Sequence, residues 1–409
     1  MSDFDRLWSE LEPIGRDPVT GGYRRYAYQP AELHCREWFM STAADRGLDP
    51  LTDRNGNLWA WWMPNGCDRK ARALVVGSHL DSVPDGGAFD GPLGVVSAFA
   101  ALDDLRATGW HPPRPVAVVA FADEEGAPYG IACAGSRLLT GELDPERARG
   151  LRDRDGRTMG EAMVAAGHDP NGLGRDAELL ARIGCYVELH VEQGRGLVDI
   201  GAPVGVASSI WPHGRYRFDF HGQANHAGTT RMADRHDPMV AFASTALAAR
   251  AVALATDARA TFGRMDVQPN GTNAVPSLVR AWLDARAATD ADLLALVRDI
   301  EQAAREAATG NGVGIDLGPE SVSGATVFDA VLREQARSAA SAALGGVSVP
   351  ILPTGAGHDA GILAAAGIPS AMLFVRNPTG ISHAPEEFAE RDACQAGVRA
   401  LAGVMRRLA

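Results

Sequence analysis

The feature that most constrains this chain is an apolar run without polar alternation, Pro115-Val116-Ala117-Val118-Val119-Ala120-Phe121. A strand of that kind hides both faces, which happens when helices cover a mainly parallel sheet on either side. Leu74-Val75-Val76 and Cys185 to Leu189 are runs of the same type. Between the first two, Gly91 to Thr108 has helical spacing and Gly109 supplies a stop. This succession from about Ala73 predicts an α/β layer fold with a mixed, mainly parallel sheet.

The pattern changes between about Gly214 and Gly318. There the sequence predicts a strand (Arg215 to Phe220), a helix (Pro238 to Leu254), two strands (Phe262 to Gln268, Ser277 to Arg286), a helix (Asp290 to Ala308) and a strand (Gly312 to Leu317). That β-α-β-β-α-β order is ferredoxin-like. A helix (Phe328 to Ala343), a strand (Ser348 to Leu352), a helix (Ala360 to Ala366), a strand (Ser370 to Phe374) and a C-terminal helix then restore the first pattern. The expectation is a discontinuous catalytic domain, residues 1–212 and 319–409, interrupted by an α+β lid at 213–318.

Composition removes several functions. The chain has 409 residues, 46% of them apolar and 22% charged, which suits a soluble globular protein rather than a disordered one. A net charge of -12 without a basic run argues against nucleic acid as partner. Lys70 is the only lysine and lies in a polar stretch, so neither a phosphate-gripping lysine loop nor a Schiff base is expected. Asp3, Asp5, Glu10 and Glu12 leave the N-terminus without the apolar core of a signal peptide, and no run approaches the ~20 apolar residues of a membrane span. The five cysteines are scattered without a CxxC spacing, which suits reduced thiols in the cytoplasm.

Chemistry-bearing residues collect where the strands end. Gly77-Ser78-His79-Leu80-Asp81 follows a buried strand, and the i, i+2 spacing points His79 and Asp81 to one side, so Asp81 can orient the imidazole. Asp90, in the Gly-rich Gly86 to Gly91 loop, is either a helix cap or a carboxylate shared by two metals. The strand ending at Phe121 runs into Asp123-Glu124-Glu125, whose mutual repulsion calls for a nearby cation. Neighbouring side chains diverge, so one of Glu124 and Glu125 can bind metal while the other faces a reacting water. Glu188-Leu189-His190-Val191-Glu192-Gln193 and Ile381-Ser382-His383-Ala384-Pro385-Glu386-Glu387 bring two more histidines to strand ends. Two histidines and an acid can hold one metal, and one histidine and an acid the other, with Asp90 shared. Nitrogen and oxygen donors without cysteine suit zinc, with manganese, cobalt or nickel as alternatives.

Seven pieces in order, GSHLDSVPDGGAFDG, FADEEG, ELHVEQG, NHAGTT, GTNAVPS, TGAGHDA and ISHAPEE, resemble the dinuclear-metal amidohydrolases of the M20 peptidase superfamily. They resemble more narrowly its carbamoylase branch of allantoate amidohydrolases, N-carbamoyl-L-amino-acid hydrolases and β-ureidopropionases, over about His34 to the C-terminus. The resemblance implies two divalent ions per subunit, His79 and His190 on one, Glu125 and His383 on the other, and Asp90 bridging. It implies Glu124 as general base, taking a proton from the attacking water and later delivering one to the leaving nitrogen. Arg215, Asn273 and Arg286 of the lid, with Gln193 and His358, match substrate-holding positions. His226 matches the position that polarises the scissile carbonyl from the neighbouring subunit of a homodimer paired through the lid.

Arg215 is similar to the allantoate enzymes, whereas Asp123 and the Gly126-Ala127-Pro128-Tyr129-Gly130 loop depart from the common EEEGSRF form. The expected activity is therefore hydrolysis of a linear C-N bond in a ureido or carbamoyl acid, allantoate first, with release of ammonia and CO2. An N-carbamoyl-L-amino acid is second, and N-formyl or N-formimino amino acids are further alternatives. An M20 peptidase or deacylase is disfavoured by His190, where peptidase relatives usually carry an acid. A binding protein without catalysis is disfavoured because every ligand and Glu124 are present.

Overall fold

The computed structural model describes residues 2–409, which divide into two compact units, residues 2–209 with 327–409, and Ile210–Thr326. The strands in chain order are β1 (Asp49–Thr52), β2 (Leu58–Trp62), β3 (Ala73–His79), β4 (Val116–Phe121), β5 (Ile183–Val191), β6 (Val204–Ile210), β7 (His213–His221), β8 (Asn225–His226), β9 (Arg259–Gln268), β10 (Ala274–Val275), β11 (Leu278–Arg286), β12 (Gly314–Ser323), β13 (Thr326–Val327), β14 (Ile351–Thr354) and β15 (Ser370–Val375).

A nine-stranded sheet in the order β1-β2-β4-β3-β5-β15-β6-β13, with β14 on β6, organises the first unit. Its centre, β4-β3-β5-β15, is parallel; β2 joins β4 and β6 joins β15 antiparallel. Every residue of β3, β4 and β15 is buried, as expected of strands covered on both faces. The helix Pro92–Ala107 is buried all round from Pro92 to Leu102, which explains the uninterrupted apolar and small residues there.

The second unit is a four-stranded antiparallel sheet in the order β12-β7-β11-β9, with the helices Pro238–Ala255 and Asp290–Gly310 packed against it. β11 alternates half-buried and buried residues along its whole length, the signature of a sheet with one covered face. The unit extends a few residues beyond 213–318 because β12 continues to Ser323. The helix Pro238–Ala255 is long and apolar enough to cross a membrane by length and composition, with a mean hydropathy of 1.5. Here it lies on the sheet through Ala241, Thr245, Ala249 and Ala253, a line of small residues four apart that permits close approach.

Candidate active site

The four parallel strands end along one edge, and each delivers a predicted residue. His79 is the last residue of β3, Ala122 to Glu125 follow β4, His190 lies at the end of β5, and the chain after β15 leads to His383. Asp90 does not cap the following helix: the cap position is Gly91. Gly91 has φ +84°, and a Cβ there would fall 2.4 Å from the His79 ring, so the loop can pass the imidazole only as glycine.

The Asp90 carboxylate instead stands between two groups of donors. Its Oδ1 lies 3.4 Å from His79 Nε2 and 3.1 Å from His190 Nε2. Its Oδ2 lies 3.4 Å from His383 Nε2, which is 3.6 Å from Glu125 Oε2. His79, Asp90 and His190 form one set whose ligand atoms lie within 4.8 Å of one another, and Asp90, Glu125 and His383 form another. His79 Nε2, His190 Nε2 and Glu125 Oε1 are buried without a hydrogen-bond partner. Orphaned donors and acceptors of this kind are costly unless something else occupies them, and imidazole with carboxylate suits a divalent cation.

Both imidazoles are oriented for that task. His190 Nδ1 lies 2.9 Å from the Val191 carbonyl oxygen and His79 Nδ1 lies 3.2 Å from that of Asp81. Each neutral ring then carries its proton on Nδ1 and turns the Nε2 lone pair toward Asp90. The Asp81 carboxylate, expected to orient His79, is 3.5 Å from Nδ1. Its closer partners are the backbone N–H groups of Glu124 and Glu125, donated to Oδ1 and Oδ2 at 3.1 and 3.0 Å. Asp81 thus fixes the acidic loop, a part the spacing did not foretell.

Electrostatics show how much negative charge is gathered here. Burial opposes charge on His79, but Glu124, Asp81 and Asp90 outweigh it and hold its pKa well above the usual value. Burial likewise opposes charge on His383, while Asp90 and Glu125 lift it to about 9. Burial and the Asp90 charge push Glu125 up to about 7. Glu124, buried next to Glu125, is raised well above the usual range by burial. Its Oε2 lies 3.8 Å from His79 Nε2, and its Oε1 accepts the Cys133 thiol at 3.2 Å.

The remaining predicted residues fall into both units. Gln193 Nε2 donates to Asp90 Oδ2 at 2.8 Å, and His358 packs its ring 4.5 Å from that of His190. Arg215, His226, Asn273 and Arg286 all belong to the second unit. β8 pairs with β10 so that His226 faces Ala274, next to Asn273. His226 Nδ1 accepts the N–H groups of Gly228 and Thr229 at 3.0 and 3.2 Å, so the neutral ring carries its proton on Nε2. Arg286 grips Asp284 through Nε and Nη2 at 2.7 and 3.1 Å, and Arg215 Nε lies 3.9 Å from the same carboxylate.

Sequence reasoning missed Glu188, Ser382 and Glu387. Glu188 precedes His190 by two residues on β5, a period-two signal that was present; it accepts Ser78 Oγ at 2.7 Å and the Ala360 N–H at 3.0 Å. Glu387 is buried while its neighbour Glu386 is exposed, which adjacent acids in a loop do not announce.

A mainly parallel sheet that turns histidines and carboxylates toward a common point at its strand ends defines a class, the α/β hydrolytic enzymes able to hold divalent cations. The model of Peptidase family M20/M25/M40 matches residues 75–407, and the chain belongs to that family. It is 36% identical to the N-carbamoyl-L-amino acid amidohydrolase of Geobacillus stearothermophilus, over 98% of this chain and 97% of the relative. It is 33% identical to the allantoate amidohydrolase of Escherichia coli (strain K12), over 98% and 96%. A solved amidase of the hydantoinase/carbamoylase family from Burkholderia vietnamiensis superposes with a TM-score of 0.88 at 30% identity, covering 100% of this chain and 98% of that one.

Proposed function

We propose that this chain is a two-metal amidohydrolase that cleaves a linear C-N bond of a ureido or carbamoyl acid, allantoate first and an N-carbamoyl-L-amino acid second, releasing ammonia and CO2. The observation that carries the reading is Asp90, which turns one oxygen to His79 and His190 and the other to His383. In this reading His79 and His190 hold one divalent ion, Glu125 and His383 the second, and Asp90 both. Bound there, such ions polarise a carbonyl and make water acidic enough to attack near neutral pH.

Glu124 belongs to neither ligand set yet lies 3.8 Å from His79 Nε2, next in the chain to Glu125, which suits a general base. A carboxyl held above its usual pKa can accept a proton from the attacking water and return it to the leaving nitrogen. Arg286 and Arg215 offer planar, permanently charged forks to the substrate carboxylate, which would take over from Asp284. His226 offers an Nε2 proton to the scissile carbonyl, with Asn273 beside it, and Gln193 and His358 line the metal side. Arg215 favours allantoate. The relatives named for carbamoyl amino acids and for allantoate are similarly close, which keeps the second substrate in view.

Zinc is the first choice of metal on its donors, with manganese, cobalt or nickel behind it. Five unpaired cysteines support a cytoplasmic location. The exposed Val240, Leu247 and Leu254 on the helix Pro238–Ala255 support pairing of two copies through the inserted unit. The test is ammonia release from allantoate and from N-carbamoyl, N-formyl and N-formimino amino acids, alongside a metal count. Turnover of dipeptides or acyl amino acids alone would sink the reading.

A further inference from the structure

Glu387 fastens two segments far apart in sequence. Its Oε1 accepts the backbone N–H groups of Phe89 and Asp90, both at 2.9 Å. Its Oε2 accepts the Ser382 hydroxyl at 2.9 Å. Ser382 Oγ also lies 3.3 Å from Asp90 Oδ2 and accepts Gln193 Nε2 at 3.1 Å. Oδ2 is the Asp90 oxygen that faces His383. The approach is so close that a Cβ on Gly87 would fall 2.3 Å from Glu387 Oε1 and 2.4 Å from its Cβ. Gly87 is thus bound to Glu387 by packing: a side chain at one would displace the other.

We propose that Glu387 is a positioning residue which, with Ser382, aims Asp90 Oδ2 at the Glu125/His383 half of the site and governs how tightly that half holds its cation. Through its two backbone contacts it sets the height of the Asp90 loop, and through Ser382, whose proton it takes and whose oxygen accepts Gln193 Nε2, it places the amide that donates to Asp90 Oδ2 at 2.8 Å and so sets the rotation of the carboxylate. The Oδ1 side depends on them less, because its other two donors, His79 and His190, are anchored on their own strands and reach Asp90 without Ser382. The inference rests on the two-ion reading above.

Cobalt(II) alone is the probe, titrated into chelator-stripped protein and followed by its visible absorption, with circular dichroism to confirm folding. Wild type should take up two equivalents. Glu387→Ala should bind the first as wild type does and the second roughly ten- to a hundredfold more weakly, the usual effect of removing a partner that orients a ligand. Glu387→Gln should restore the second equivalent, since its amide oxygen still accepts both N–H groups and its NH2 can donate to Ser382 Oγ. Ser382→Ala should weaken only the second equivalent, and Gly87→Ala should mimic Glu387→Ala. Equal weakening of both equivalents would reduce Glu387 to a general brace and overturn the proposal, as would wild-type affinity in Glu387→Ala. If Glu387→Ala fails to fold, Ser382→Ala decides, and an unchanged second equivalent overturns the idea. A wild-type protein that takes up fewer than two ions would instead remove the two-ion reading, and this inference with it.

Discussion

Glu124 and Glu125 are chemically alike, and only their surroundings part them. Glu125 stands with Asp90 and His383, whereas Glu124 is hydrogen-bonded by Cys133 outside both ligand sets. Glu124→Gln should therefore keep its metal content and lose about 10²- to 10⁴-fold in kcat, because the amide keeps the shape but cannot accept a proton. Loss of a metal ion in that variant, measured by elemental analysis, would reverse the two assignments. Arg286→Ala should raise KM roughly ten- to hundredfold with a smaller change in kcat, the result of losing a charged contact remote from the reacting carbon. Steady-state kinetics on a carboxylate substrate checks this. Strand-end histidines and acids were legible because few other arrangements concentrate them so often after apolar runs. Glu387 and the backbone role of Asp81 were not, since both depend on contacts between segments distant in sequence.

At the scale of elements, what could be read followed burial in the centre of the large sheet, whereas β2, buried at every residue as well, was not read. β3, β4, β5 and β15 are apolar on both faces and stood out, and the inserted unit kept its alternation and helical periods. The helices Asp3–Leu11 and Pro30–Asp45, with β1 and β2, went unread. Asp3–Leu11 carries a helical signal in the spacing of Phe4, Leu7 and Leu11 that was present and missed, whereas the second helix buries the Glu32–Arg36 pair, and those polar residues mask its signal. The strand expected at Ser348 to Leu352 lies at Ile351–Thr354, where a proline within the run blurs its ends. The helix Pro238–Ala255 shows the opposite case, apolar on the face turned away from the sheet as well. Leu247 is 71% exposed there. Leu247→Glu should leave the monomer folded and abolish the proposed pairing, read as a halved mass in sedimentation equilibrium.

For the whole molecule, the gathered carboxylates make stability depend on pH in the absence of a bound cation. Glu125 is held at about 7, above its unfolded value, so the folded state binds the proton more strongly and loses stability as pH rises from about 4.5 to 7. His383, held at about 9, extends the loss from about 6.5 to 9, because the unfolded histidine gives up its proton first. Chelator-treated protein should thus melt progressively lower between pH 5 and 9 in calorimetry, and added divalent cation should restore it most at the alkaline end. If His226 serves the partner's site, mixing Glu124→Gln with His226→Ala chains should regain roughly a quarter of wild-type activity after subunit exchange, and none if it serves its own. The insertion has a genealogical consequence as well. The chain leaves the large sheet from β6 and re-enters it at β13, its hydrogen-bonded neighbour, where the Phe328 N–H meets the Ser208 carbonyl at 3.2 Å. Adjacent strands lie only ~4.8 Å apart, so the excursion begins and ends within one strand spacing. A module inserted in this way can be gained, lost or exchanged at one place in the sheet without re-threading the strands that lead to His79, Glu125 and His190.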